Sequence, residues 1–182
     1  MHSRIAELLA YIDREQAALE AAVGSVPRAR QSSSPADGRW SVAQIIQHLV
    51  LVERRVTGLI TMQLATAKDH GLGSEHRSTP ILSTIDVRRF ADRSRKFVFG
   101  GDPPSASVDV DAGLRALAET RVAFKAAVMQ GDGFDLSVPS APHRAFGQLN
   151  LYEWIGFVGA HIARHADQIR EIGQTAPTVD RT

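Results

Sequence analysis

The chain has no cysteine among its 182 residues. That absence excludes disulfides, zinc ribbons and a cysteine nucleophile, and it leaves His, Asp and Glu as the only strong metal ligands. Any thiol chemistry would need a thiol supplied from outside. Long apolar runs are missing too, so nothing in the sequence reads as a membrane span. The opening MHSRIAELLAYIDREQ carries acids where a signal peptide would have an apolar core. Charge of one sign is not in excess, the formal net charge being +1. Nothing global therefore draws the chain to nucleic acid or to an anionic membrane. The expectation is a cytoplasmic protein with neither as a partner. No internal repeat or second compositional region appears, so residues 1–182 are read as a single domain with a sizeable core.

What the sequence does contain is helical periodicity. Ile5, Leu8, Leu9, Ile12, Leu19 and Val23 form the apolar face of a first helix over residues 3–22, ended by Gly24 and Pro27. Residues 28–39, rich in Ser, Pro and Gly, read as a solvated connection that includes Arg28, Arg30 and Arg39. A second helix starts at Ser41, with Gln44 completing a capping box and Trp40 stapling the incoming chain. Its stripe, from Val42 through Ile45, Leu49, Val52, Val56, Leu59 and Ile60, runs to about Lys68. Residues 69–84 read as a loop with His70 and His76 exposed. Residues 85–99 read as a short helix with Val87, Phe90 and Phe97 inward and its basic residues solvated. A third long helix begins near Asp109 and ends before Gly131, with Val110, Leu114, Leu117, Phe124 and Val128 inward and Val122 flanking. Residues 134–149 read as irregular, with His143 structural or exposed.

The last helix is the most informative. Asn150 and Glu153 have capping-box spacing, Gly173 stands where a left-handed residue would stop the helix, and Pro177 follows. Leu151, Trp154, Val158, Ile169 and Ile172 define its buried stripe. His161 and His165 fall inside that stripe, within roughly 20° of Trp154 and Ile172. Spacing of i, i+4 sets two imidazoles side by side, close enough to share a divalent ion. A pair of core histidines satisfied by neighbouring acceptors is the competing reading. His48 lies on the edge of the second helix's stripe, roughly 60° from its centre, and periodicity does not say what it faces. Ile162 occupies the place where a zinc-protease helix carries its glutamate, which argues against that type of peptidase. No catalytic base is assigned: Glu53 and Glu153 are on the right helices, though either would serve as a surface residue. Gln44 and Gln168 are candidates to hydrogen-bond the histidines from behind.

Two segments, GRWSVAQIIQHLVLVE and PHRAFGQLNLYEWIGFVGAHIARHADQIREI, give the chain a resemblance to the DinB/YfiT-like family. The resemblance implies an all-α four-helix bundle with non-sequential, crossover helix order. It also implies a divalent metal held by His48, His161 and His165, and a homodimer. Zinc or nickel is the first expectation, though imidazoles also accept iron and manganese. Three nitrogen ligands with an open position describe a catalytic site rather than a structural one. Characterised relatives imply a small-molecule substrate: a low-molecular-weight thiol in an S-transferase-like reaction, or a hydrolysable compound for a metal-dependent hydrolase. A non-catalytic, stress-related metal-binding protein is the contrasting expectation.

Overall fold

The computed structural model describes residues 1–36, 38–94 and 109–174. In chain order these form α1 (Ser3–Gly24), the single turn α2 (Arg28–Gln31) and α3 (Val42–Asp69), then a 3₁₀ turn at Ile81–Ser83. The turn α4 (Arg88–Ala91), α5 (Val110–Met129), the strands β1 (Ser140–His143) and β2 (Gly147–Asn150), and α6 (Leu151–Gln174) follow. The molecule is mostly helical.

The helix starts follow from local hydrogen bonding. Ser41 Oγ accepts from Gln44 N at 3.2 Å while Gln44 Oε1 accepts from Ser41 N at 3.0 Å, so α3 opens with a complete capping box. At α6 the reciprocal pair is Asn150 and Glu153, both bonds at 3.0 Å. Asp109 caps α5 by accepting from Ala112 N at 2.8 Å.

α1 lies chiefly along α6, α3 along α5, and α3 also packs on α6. α6 is therefore central: from Leu151 to Ala160 every residue except Glu153 is buried. Side chains such as Ile12, Ile45, Phe124 and Ile155 are fully enclosed, each contributing about 1.5–3 kcal/mol of burial energy. The approach of α1 and α6 is possible because α6 carries no side chain at Gly159. A Cβ there would sit 2.4 Å from Tyr11 Cε1, well inside contact distance.

Several expectations need correction. Gly173 is helical and has no left-handed φ; α6 continues to Gln174. The connection after α1 is not simply solvated, because Gln31 is buried and donates to Val23 O and Val26 O, while Arg30 donates to Ile172 O. The helix expected over 85–99 is one turn at Arg88–Ala91. Phe90 is buried as expected, Val87 is half-buried, and Phe97 lies outside the described residues. Two of its arginines are engaged, Arg89 with Glu153 at 2.7 Å and Arg93 with Glu171, whereas Arg88 is exposed as expected and Arg95 and Lys96 lie outside the described residues. Val122 is 71% exposed. Within residues 134–149, expected to be irregular, the chain from Ser140 forms a hairpin that ends at Asn150, and its four-residue strands, one containing Pro142, are too short to show alternation.

Candidate metal centre

α3 and α6 bring three imidazoles together. His48 Nε2 lies 3.1 Å from His161 Nε2, and His165 Nε2 lies 3.2 Å from the same atom. The three ligand atoms all fall within 4.8 Å of one another. His48 and His165 are buried and His161 is half-buried. The i, i+4 spacing on α6 sets the second contact. The first depends on α3 lying against α6 with the edge of its stripe turned inward.

Electrostatics keep these rings neutral. Burial, with Arg55 adding to it, pushes His48 down to about 4. Burial and the neighbouring His48 push His165 down to about 3, opposed by its bond to Gln168. Burial and the two other rings hold His161 well below the ordinary range. At neutral pH each ring therefore offers a lone pair. Gln168 Oε1 lies 2.9 Å from His165 Nδ1, and with the amide oxygen accepting, the ring proton sits on Nδ1 and frees Nε2.

This arrangement fits a divalent cation. Nitrogens bound at 2.0–2.1 Å in a tetrahedral site stand about 3.3 Å apart, close to the spacing here. Without an ion, His161 Nε2, which carries either one proton or one lone pair, would face two nitrogen neighbours and could not bond well to both. His48, His161 and His165 are the residues that would hold the ion.

A sequence model of the DinB superfamily matches residues 5–169 of this chain. The chain belongs to the DinB superfamily. The uncharacterized protein YuaE of Bacillus subtilis (strain 168) is a relative that is 23% identical over 143 residues, spanning 78% of this chain and 82% of its own. No solved structure matches the chain significantly.

Around the histidines, this DinB-superfamily protein adds residues that spacing did not reveal. Trp40, expected as a staple, also walls the site, its ring 4.9 Å from that of His48 and stacked at 6.4 Å on His165. Phe157 stacks on His161 at 5.3 Å. His143, expected to be structural or exposed, is half-buried on β1 beside Phe157, Trp154 and Phe146. Its Nδ1 accepts from Ala145 N at 3.1 Å, and burial lowers its pKa. The signal for it was the hairpin, which the sequence does not show. His70 and His76 are exposed as expected.

Both carboxylates considered as bases have other attachments. Glu153 caps α6 and pairs with Arg89. Glu53 is 2% exposed rather than at the surface, paired with Arg121 at 2.7 Å, and burial pushes it up to about 7 against the pull of that arginine. Gln44 serves the α3 cap, whereas Gln168 does stand behind a histidine. Among the described residues, no helix is long and apolar enough to cross a membrane.

Proposed function

We propose that His48, His161 and His165 hold one divalent ion, zinc or nickel, in a metal-dependent enzyme that activates a low-molecular-weight thiol for transfer. The observation that carries this reading is the convergence of three neutral Nε2 atoms from α3 and α6, with no fourth protein ligand in the cluster among the described residues. An ion bound there would supply Lewis acidity to a coordinated thiol. The chain's own residues orient and enclose. Gln168 fixes the tautomer of His165, while Trp40 and Phe157 pack against the rings and limit water. The absence of cysteine favours a borrowed thiol and keeps the protein's own thiols from competing for the ion.

We further read residues 1–182 as one cytoplasmic domain that works as a homodimer with crossover helix order. The packing of α1 on α6 and α3 on α5 supports that order. Elemental analysis of untagged protein tests the centre. About one equivalent of metal per chain is expected, falling below about a tenth when any one histidine is replaced by alanine, because three ligands are the minimum for such a site. Thiol consumption with electrophile panels tests the reaction. Ester or amide hydrolysis without any thiol requirement would overturn the transferase reading.

A further inference from the structure

Two polar atoms beside the histidines lack partners among the described residues, and they are of opposite kind. On α6, the polar contacts of His161 run through Nε2, toward His48 and His165. Its Nδ1 has no hydrogen-bond partner among the described residues. A neutral imidazole that gives its Nε2 lone pair to an ion carries its proton on Nδ1, so this atom is then a donor in need of an acceptor. His165 shows the arrangement completed, with Gln168 Oε1 2.9 Å from its Nδ1. On α3, Glu53 is 2% exposed and gives Oε2 to Arg121, while Oε1 is buried with no hydrogen-bond partner among the described residues. That oxygen is an acceptor in need of a donor, and burial denies it water.

Both residues line one crevice between α3 and α6. Its other lining side chains are Leu49, Val52, Val158 and Ile162, all apolar. Among the described residues, Glu53 is thus the one side chain of the crevice able to accept from an imidazole N–H. The crevice is too narrow to admit a water molecule, so a side-chain rotation, not bridging solvent, makes a bond across it. Solvent at the half-buried side of His161 is the competing acceptor. A carboxylate in this role fixes the orientation of a metal-bound ring and raises its basicity.

Building on the metal reading above, we infer that Glu53 is a positioning residue of the centre, its Oε1 accepting the Nδ1 proton of His161 while Oε2 stays on Arg121. The relay from Arg121 through Glu53 holds the half-buried ligand from α3, as Gln168 holds His165 from within α6. A buried ion pair that is poorly satisfied by itself is kept because its spare oxygen serves the ligand.

The test uses the full chain and two double variants. Glu53→Leu with Arg121→Met removes the acceptor and strands no charge; Glu53→Gln with Arg121→Met keeps an acceptor and frees it from the arginine. Zinc affinity is measured by competition with a chelator, and stability by chemical denaturation of the metal-free proteins. The first double variant is expected to be at least as stable as the wild type and to bind zinc about 10–100-fold more weakly. The second is expected to recover zinc affinity to within about threefold of the wild type. Unchanged affinity in the first, or equal losses in both, overturns the inference, because a merely structural pair does not distinguish them. If either variant does not fold, the zinc-loaded wild type decides by NMR. The Nδ1 proton of His161 is expected to exchange slowly and to resonate downfield of that of His165, since a carboxylate is the stronger acceptor. A His161 proton that exchanges as freely as one facing solvent overturns the inference. If the wild type binds no zinc, the metal reading itself fails and this inference falls with it. No thiol enters the test, so failure of the transferase reading is read separately.

Discussion

Glu53 and Glu75 are two glutamates taken out of water to nearly the same degree, 2% and 7% exposed, yet their acidities lie far apart. Burial pushes Glu53 up to about 7, and its one partner, Arg121, does not reverse this. At Glu75 burial also pushes upward, but the side chain and backbone N–H of Arg77, the Tyr152 hydroxyl and Arg4 outweigh it and hold the carboxyl down to about 2. The difference lies in the number of donors. Both Glu75 oxygens are occupied, with Arg77 N at 2.8 Å, Arg77 Nε at 2.9 Å, Tyr152 Oη at 2.8 Å and Arg4 Nη1 at 3.1 Å. Glu53 uses one oxygen; its Oε1 and the Nε and Nη1 of Arg121 have no hydrogen-bond partner. Equal burial can therefore give a stabilising anchor in one place and a costly pair in another, according to how many lone pairs find donors.

The largest effect should come from Glu75→Ala, which strands the buried guanidinium of Arg4. A loss of about 3–5 kcal/mol is expected by chemical denaturation, and a loss below about 1 kcal/mol would break the contrast. Acid should separate the two sites next. The folded pKa of Glu75 lies below its ordinary 4.5, so its contribution of about 3 kcal/mol is present above that pH and lost as pH falls toward 2. Glu53 titrates above its ordinary 4.5, so its burial penalty is relieved as pH falls from about 7 to 4.5. Glu75→Gln should flatten the first change, and Glu53→Gln should remove the second, in stability curves measured against pH. Replacing the poorly satisfied pair outright, as Glu53→Leu with Arg121→Met, should be neutral or raise stability by about 1–4 kcal/mol. The smallest comparison removes one neighbour from each site. Tyr152→Phe deletes a short bond to a charged acceptor and should cost about 1.5–3 kcal/mol, whereas Gln16→Ala deletes a contact at the outer limit of hydrogen bonding, 3.5 Å from Arg121, and should cost about 0.5 kcal/mol or less.

Neither glutamate could be assigned its environment from spacing. Glu53 lies five residues beyond His48 on a helix whose other acids and bases face water, and Glu75 sits in a segment that reads as loop. The caps of α3 and α6, by contrast, were legible because both partners lie three residues apart in the chain. The pairing of His161 with His165 was legible for the same reason. His48 joining them was expected through family resemblance, since its position at a stripe edge fits an inward or outward ring equally well. Arg121 escaped notice altogether: an arginine on an otherwise amphipathic helix gives no sign that two neighbouring helices will close over it.

The sequence by itself determined where the long helices begin, which face of each is apolar, and that two imidazoles share one face of the last, because all of these depend on contacts within a few residues. Tertiary structure alone decided that α3 meets α6 with His48 turned toward that pair, that β1 carries His143 beside Phe157, and that Glu75 is saturated with donors while Glu53 is not. Those outcomes depend on groups separated by tens of residues, whose distances are fixed only when the helices pack.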